Sequence, residues 1–283
     1  MHTADGAENA PVRALSGEAE TVMTAVLASR KYAAICPALV ARICAEETPK
    51  YRQEKQRVQA AKNRLHQIYG AFLQGEALRR AEKELAALER GETGLREASR
   101  AVLALHTSMA ERLPALPALY SFLREQLGGI TSVQDIGCGL HPFGLPTLAC
   151  PALTAYHAYD IDLRQVALIN RFLVCAGLAP LAQTLDAVAA VPDAVTDAAF
   201  LMKLLPVLEA QRRGRAQAIL RDVRAHRLVV TFPTKSLGGR EKGMAASYAA
   251  AFEAGLDDTL RIDARQVFGS ELVYVLTKRA TQD

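Results

Sequence analysis

The chain has 283 residues, half of them apolar, no Trp, and a formal net charge of +4. That length supports one large domain or two smaller ones, and no apolar run is long enough to span a bilayer, so no membrane partner is expected. Five cysteines (Cys36, Cys44, Cys138, Cys150, Cys175) form no CxxC pair, which argues against a disulfide framework and a zinc site and fits a reducing cytoplasm with no bound metal.

Residues 1–19 are polar and lack the basic-then-apolar order of a signal peptide, so a disordered tail is expected there. A helical domain is expected over 20–112. Val22, Val26, Leu27 and Tyr32 recur at helical spacing until Cys36-Pro37 interrupts, and Pro37 suits the first position of a new helix through Leu39, Val40 and Ile43. Thr48-Pro49 opens the next helix, in which Val58, Ala61, Leu65 and Ile68 share one stripe. Lys50, Arg57 and Arg64 flank one side of that stripe and Arg52, Lys55 and Lys62 the other, against the single acid Glu54. Such a charge run is usually a solvated face; the sharper alternative is an electrostatic footprint for phosphates. Glu76 to Leu105 continues helical, and no strand signal precedes about residue 130.

The texture changes at Leu113-Pro114-Ala115-Leu116-Pro117, and 113–283 reads as an α/β domain. A helix over Ala118–Gln126 ends at Gly128-Gly129. Strands are predicted over Val133–Ile136, Ala155–Asp160, Leu181–Leu185, Ala198–Met202 and Arg227–Phe232. Helices are predicted over Leu163–Ala176 and Val207–Val223, and Leu260–Ile262 with Leu272–Thr277 form a closing hairpin. Alternating strands and helices imply a parallel sheet covered on both faces, with ligands beyond the carboxyl ends of its strands.

The first two of those ends carry the sharpest signal. Asp135-Ile136-Gly137-Cys138-Gly139-Leu140 is a strand followed by a glycine turn, and Asp160 ends the next strand, where an acid catches ribose hydroxyls. A dinucleotide fingerprint wants a third glycine near 142, where this chain has His141-Pro142. The ligand indicated is therefore one that needs a close turn and an acid but no diphosphate cradle, such as S-adenosyl-L-methionine (SAM). Asp186 follows the third strand, at the usual place of an adenine ring, although an Asp there is more often a helix cap. Cys36-Pro37 and Cys150-Pro151 raise the idea of a cysteine nucleophile, but neither follows a late strand, and buried structural Cys is the commoner case. His106-Thr107-Ser108 with Arg112 reads equally as a capped helix start or as a carboxylate-binding fork. The segment from Thr231 to Met244 leaves a buried strand and becomes basic and glycine-rich. It is either a plain surface loop or a substrate contact through Lys235, Arg240 and Lys242, with Phe232 or Met244 against a base.

Ala28-Ser29-Arg30-Lys31-Tyr32, Arg64-Leu65-His66-Gln67-Ile68-Tyr69-Gly70-Ala71, Leu105-His106-Thr107-Ser108, Glu111-Arg112, Asp135 to Leu140, Lys203-Leu204-Leu205-Pro206 and above all Phe232-Pro233-Thr234-Lys235-Ser236-Leu237-Gly238-Gly239-Arg240 resemble the Arm/Rmt family of aminoglycoside-resistance 16S rRNA (guanine(1405)-N(7))-methyltransferases. The resemblance runs from about Ala28 to Lys278. It implies a SAM-dependent methyltransferase (Rossmann-like) doubly wound sheet, with a helical N-terminal domain that docks on 16S rRNA in the 30S ribosomal subunit. By position, His106, Thr107, Ser108 and Arg112 would hold the methionine end of SAM, Gly137 its backbone, Asp160 its ribose, and Asp186 and Ala187 its adenine. Met202 and Gln211 would lie near the same pocket. RNA contacts would fall on Lys31, Lys50, Arg52, Lys55, Arg57, Lys62, Arg64, Lys235, Arg240, Lys242 and Met244. The family often has Asn-Pro where this chain has His141-Pro142, a difference that bears on pocket shape.

Guanine N7 carries an in-plane lone pair and no proton, so no general base is expected and the enzyme's task is positioning. The N7 edge lies in the deep major groove of A-form RNA, so the base must be flipped or otherwise exposed. Phe232 and Lys203 are the positioning candidates beside the methyl. Two rivals stand at this stage: the same fold acting on a neighbouring base, such as an adenine N1, and a non-catalytic ribosome-binding protein.

Overall fold

The computed structural model describes residues 15–69, 75–234 and 244–279, and the chain divides into two compact units, Met1–Ala71 and Phe72–Asp283. The first unit packs α1 (Gly17–Leu27), α2 (Pro37–Glu47) and α3 (Glu54–Tyr69), with a 3-10 turn at Thr48–Lys50. Its core is Val22, Val26, Ile35, Leu39, Ile43 and Leu65. Pro37 opens α2, as its missing N–H and preset φ favour. The expected tail reaches too far: Ser16 caps α1 by accepting from the Ala19 amide at 3.3 Å, and Ala19 is buried. Thr48-Pro49 forms the short turn and α3 starts later, at Glu54.

The second unit begins with α4 (Glu76–Glu89), α5 (Leu95–Leu103), α6 (Thr107–Arg112) and α7 (Leu116–Leu127). Strands β1 (Ser132–Ile136), β2 (Ala155–Asp160), β3 (Ala182–Thr184), β4 (Thr196–Met202), β5 (Ala225–Pro233), β6 (Leu260–Phe268) and β7 (Glu271–Lys278) follow. Between them lie a 3-10 turn at His141–Gly144, α8 (Leu145–Leu148), α9 (Leu163–Cys175), α10 (Leu205–Gln211), α11 (Arg215–Asp222) and α12 (Met244–Ala254). The sheet order is β3-β2-β1-β4-β5-β7-β6. β1 to β5 run parallel, and β7 is antiparallel to both β5 and β6. The expected parallel sheet and closing hairpin are both present.

Each sheet face has its own core. Leu78, Leu85, Val102, Leu103 and Tyr120 pack with Val133, Phe143 and Phe172 on one. Ile136, Leu205, Leu208, Ile219, Phe232 and Phe252 pack on the other. The compact boundary therefore falls at 71, not at the expected 112, because α4 and α5 bury their apolar stripes in the sheet unit's core. Two expected long helices are broken, at Gly91 (φ 72°) between α4 and α5 and at Gly214 (φ 78°) between α10 and α11. Glycine reaches this left-handed region without steric cost and so ends a helix there. Among the described residues no helix is long and apolar enough to cross a membrane.

Candidate functional site

The sheet reverses direction of winding between β1 and β4, and the site is built where the carboxyl ends of β1, β2 and β4 open beside that switch. β1 is buried from Val133 to Ile136, so its apolar run ends at a fixed depth and the chain turns at Gly137. The Gly137 and Cys138 amides both donate to the Tyr159 carbonyl, at 2.8 and 3.0 Å. Gly137 has φ 66°, a left-handed conformation that favours glycine, and a Cβ there would stand 2.7 Å from Leu204 Cδ1, which would have to move aside. Gly139 has φ 53° with open space where its Cβ would be. Its amide donates to Asp160 Oδ2 at 2.8 Å and closes the first strand end onto the second.

Asp160 is buried, and its Oδ1 accepts from the Ile161 and Asp162 amides at 2.7 and 3.2 Å. Burial pushes its carboxyl up to about 6, against the three backbone amides that favour the charge. Below the turn, Asp135 Oδ2 accepts from the Tyr156 hydroxyl at 2.7 Å and meets His141 Nδ1 at 2.7 Å. The His141 ring lies 5.5 Å from Phe200 and 5.8 Å from Tyr120. The family's Asn position is thus occupied here by a buried histidine that braces the glycine turn from within the core. Cys138 sits in the same turn, and burial pushes its thiol well above the usual range, which leaves it inert as a nucleophile. Cys36 is equally buried.

A second cluster lies where β4 and β5 end and β7 begins. Arg112 donates from Nε to Glu271 Oε2 and from Nη2 to Glu271 Oε1, both at 2.7 Å, with Nη1 3.3 Å from Met109 Sδ. Thr231 donates its hydroxyl to Glu271, and Lys203 Nζ stands 3.9 Å from it. Burial opposes the Glu271 charge, but Arg112 above all, then Lys203 and Thr231, outweigh it and hold the carboxyl below its usual range. Burial pulls the Lys203 ammonium down, and Glu271 restores part of that. Two cations face one carboxylate. The Lys203 backbone is left-handed, with φ 57°, and its amide donates to the Thr231 carbonyl at 3.1 Å and hydroxyl at 3.0 Å. A non-glycine residue held this way stores strain of about 1–3 kcal/mol, which the β4–β5 register sustains.

The expected residues fall unevenly on this frame. Gly137, Asp160, Met202 and Lys203 stand at the strand ends, with Asp186 and Ala187 just past β3. Arg112 is expected to hold the methionine carboxyl of SAM, whereas its fork here is closed on Glu271, a residue without a signal in the sequence. Phe232 is corrected: its ring is 4% exposed and packs 5.0 Å from Phe252 and 6.1 Å from Tyr274, so it is a core residue and no platform for a base. Gln211 donates to the Val207 carbonyl on its own helix at 3.4 Å. His106 immediately precedes α6, its carbonyl accepting from the Met109 and Ala110 amides at 2.9 and 2.8 Å. The side chains of Thr107, Ser108 and Met244 lie outside the described residues, as do Lys235, Arg240 and Lys242.

In the first unit, Arg57 is already engaged, 2.8 Å from Glu18 and 2.8 Å from the Tyr51 carbonyl. Lys50 pairs with Glu47 at 2.8 Å, Lys31 meets His66 at 3.0 Å, and Arg64 donates to Gln67 at 3.3 Å. Arg52 and Lys55 are exposed and Lys62 half-buried. Among the described residues no group of three or more His, Cys, Asp and Glu side chains forms a metal site.

Seven strands in this order with β7 running opposite to the rest, a glycine turn after β1 and an acid closing β2 define a SAM-dependent methyltransferase fold. Within that class the model of the ribosomal RNA methyltransferase family (FmrO) matches residues 28–275, and the chain belongs to this family. A Serratia marcescens protein named 16S rRNA (guanine(1405)-N(7))-methyltransferase is 38% identical over 256 residues, 90% of this chain and 97% of that protein. A Micromonospora echinospora protein of the same name is 34% identical over 267 residues, 92% and 96% of the two chains. The crystal structure of the 16S rRNA methyltransferase RmtF in complex with S-adenosyl-L-homocysteine superposes with a TM-score of 0.82 at 39% identity, covering 94% of this chain and all of that one. The structure of the 16S rRNA methylase RmtB gives 0.78 at 33%, with 92% and 98% covered.

Proposed function

We infer that this chain transfers the methyl group of SAM to N7 of guanosine 1405 in 16S rRNA, acting on the assembled 30S subunit in the cytoplasm and conferring aminoglycoside resistance. The observation that carries this reading is the closure of the Gly139 amide onto the buried Asp160 carboxylate, within a chain of the rRNA methyltransferase family. The residues present fit SAM. Open space above Gly139 admits a ligand against the backbone, and Asp160 is a buried carboxylate with capacity for ribose hydroxyls. In the second cluster Arg112 and Lys203 stand together beside Glu271, and cations of this kind suit a free amino acid's carboxyl group.

In this reading Asp160 holds the ribose, Asp186 and Ala187 the adenine, and His106, Thr107, Ser108 and Arg112 the methionine end, with Gly137, Met202 and Gln211 around them. Bound SAM supplies a sulfonium methyl, and guanine N7, with a lone pair and no proton, accepts it without a general base. The chain's own groups do the orienting. Glu271 fixes the Arg112 fork by its Nε and Nη2 edge, and the left-handed backbone at Lys203 sets where that ammonium stands. Exposed cations of the first unit, Arg52 and Lys55 foremost, contact rRNA phosphates. N7 methylation places a fixed positive charge on the base, removing an acceptor and repelling a polycationic drug.

Labelled methyl transfer tests the reading. The purified protein is incubated with radiolabelled SAM and 30S subunits, 50S subunits or naked 16S rRNA. Label in 30S subunits alone is expected. Label in naked rRNA only overturns the assembled-subunit substrate, and no label in any of them overturns methyl transfer.

A further inference from the structure

The segment 186–190 after β3 belongs to no helix or strand, yet nearly every peptide in it is pinned. Asp186 Oδ1 accepts from the Val188 amide at 3.1 Å, and the Asp186 carbonyl accepts from the Ala189 and Ala190 amides at 2.9 and 3.0 Å. The opposite edges of these peptides are held from α11 and the turn before it. Arg215 donates from Nε to the Ala187 carbonyl at 2.7 Å and from Nη2 to the Ala190 carbonyl at 2.8 Å. Arg212 donates from Nη1 to the Val188 carbonyl at 3.2 Å. The 187–188 and 188–189 peptides are therefore each gripped at both ends.

The break between α10 and α11 serves this arrangement. Gly214, with φ 78°, ends the helical run, and its amide donates to Glu209 Oε1 at 2.8 Å while Glu209 Oε2 accepts from Ala216 at 3.3 Å. The arginines on either side of the break thereby both reach the segment. The Arg215 side chain is only 10% exposed, and Asp222 Oδ2 stands 3.6 Å from its Nη1. The planar guanidinium of Arg215 reaches the two carbonyls, three residues apart, from two separate nitrogens of one rigid fork.

We propose that Arg215, seconded by Arg212, is a positioning residue for the nucleoside base of the cofactor, holding Asp186 and Ala187 in their binding conformation from behind. The proposal rests on the assignment of those two residues to adenine. It is tested by calorimetric titration of S-adenosylhomocysteine and S-inosylhomocysteine into the full chain and its Arg215→Met, Arg215→Lys, Arg212→Met and Asp160→Ala variants, below their melting temperatures, with steady-state kinetics on 30S subunits. Arg215→Met is expected to weaken S-adenosylhomocysteine about tenfold. It should also shrink the preference for adenine over hypoxanthine and raise KM for SAM with kcat held within about twofold. Arg215→Lys and Arg212→Met should show smaller losses in the same direction, which keeps the test open should Arg215→Met fail to fold. A lower melting temperature with unchanged affinity and unchanged base preference overturns the proposal and makes Arg215 merely structural. Loss of binding in Asp160→Ala but in none of the arginine variants overturns the proposal while leaving the cofactor site standing. Absence of binding by the unaltered chain overturns both.

Discussion

Asp160 is the residue on which the site's pH behaviour turns. Its carboxyl sits at about 6 in the folded chain against an ordinary 3.8. For an acid shifted upward, folding favours the protonated form, so its contribution to stability is present below 3.8 and is lost as pH rises through about 6, costing roughly 3 kcal/mol at neutrality. Ribose hydroxyls donate to the ionised form. SAM affinity should therefore strengthen as pH rises through about 6 and level off above it, measured by calorimetry at fixed ionic strength. Asp160→Ala should bind SAM weakly with that pH dependence gone and subunit binding little changed; unchanged affinity removes the ribose assignment. Glu271 belongs to the same scale. Glu271→Ala leaves Arg112 buried without its partner, which should cost about 3–5 kcal/mol of stability and lower the melting temperature. An unchanged melting temperature contradicts a closed Arg112–Glu271 pair. The glycine turn and Asp160 were readable from sequence because their chemistry is local to one strand–turn–helix–strand passage. The Arg112–Glu271 pair was not, since its members are 159 residues apart and Glu271 opens an apolar strand that reads as plain core.

Among the elements, α3 and the bend before it carry both cations that hold the first unit together and cations exposed to meet phosphate. Arg57 is spent on Glu18 and the Tyr51 carbonyl, so reversing it probes folding as much as docking. Arg52 and Lys55 are exposed. The double variant Arg52→Glu and Lys55→Glu should weaken binding to 30S subunits and flatten its salt dependence, leaving melting temperature and SAM affinity unchanged. Unaltered subunit binding makes this end of α3 a solvated face. Periodicity located most helices and strands to within a few residues, because a stripe or an apolar run is written in consecutive positions. It missed the breaks at Gly91 and Gly214, where a left-handed glycine ends a helix whose flanking pattern continues. It read Phe232 as a contact because an aromatic beside a basic loop looks the same whether its ring faces solvent or Phe252.

For the whole molecule, the strand order β3-β2-β1-β4-β5-β7-β6 places Gly139, Asp160 and Lys203 at strand ends beside one switch point. The boundary between units was less legible. An amphipathic helix shows that it buries a face but not against what, and α4 and α5 bury theirs in the sheet unit's core. The central claim is that this architecture delivers a methyl group to one guanine N7. N7 methylation makes the glycosidic bond labile after reduction, so the chain can be cut there with aniline. The most direct measurement is primer extension on 16S rRNA from cells making the protein, after borohydride and aniline treatment. The account predicts a strand break at guanosine 1405 that disappears with Asp160→Ala. An intact strand at that position, with methyl recovered on a neighbouring base such as an adenine N1, would contradict it.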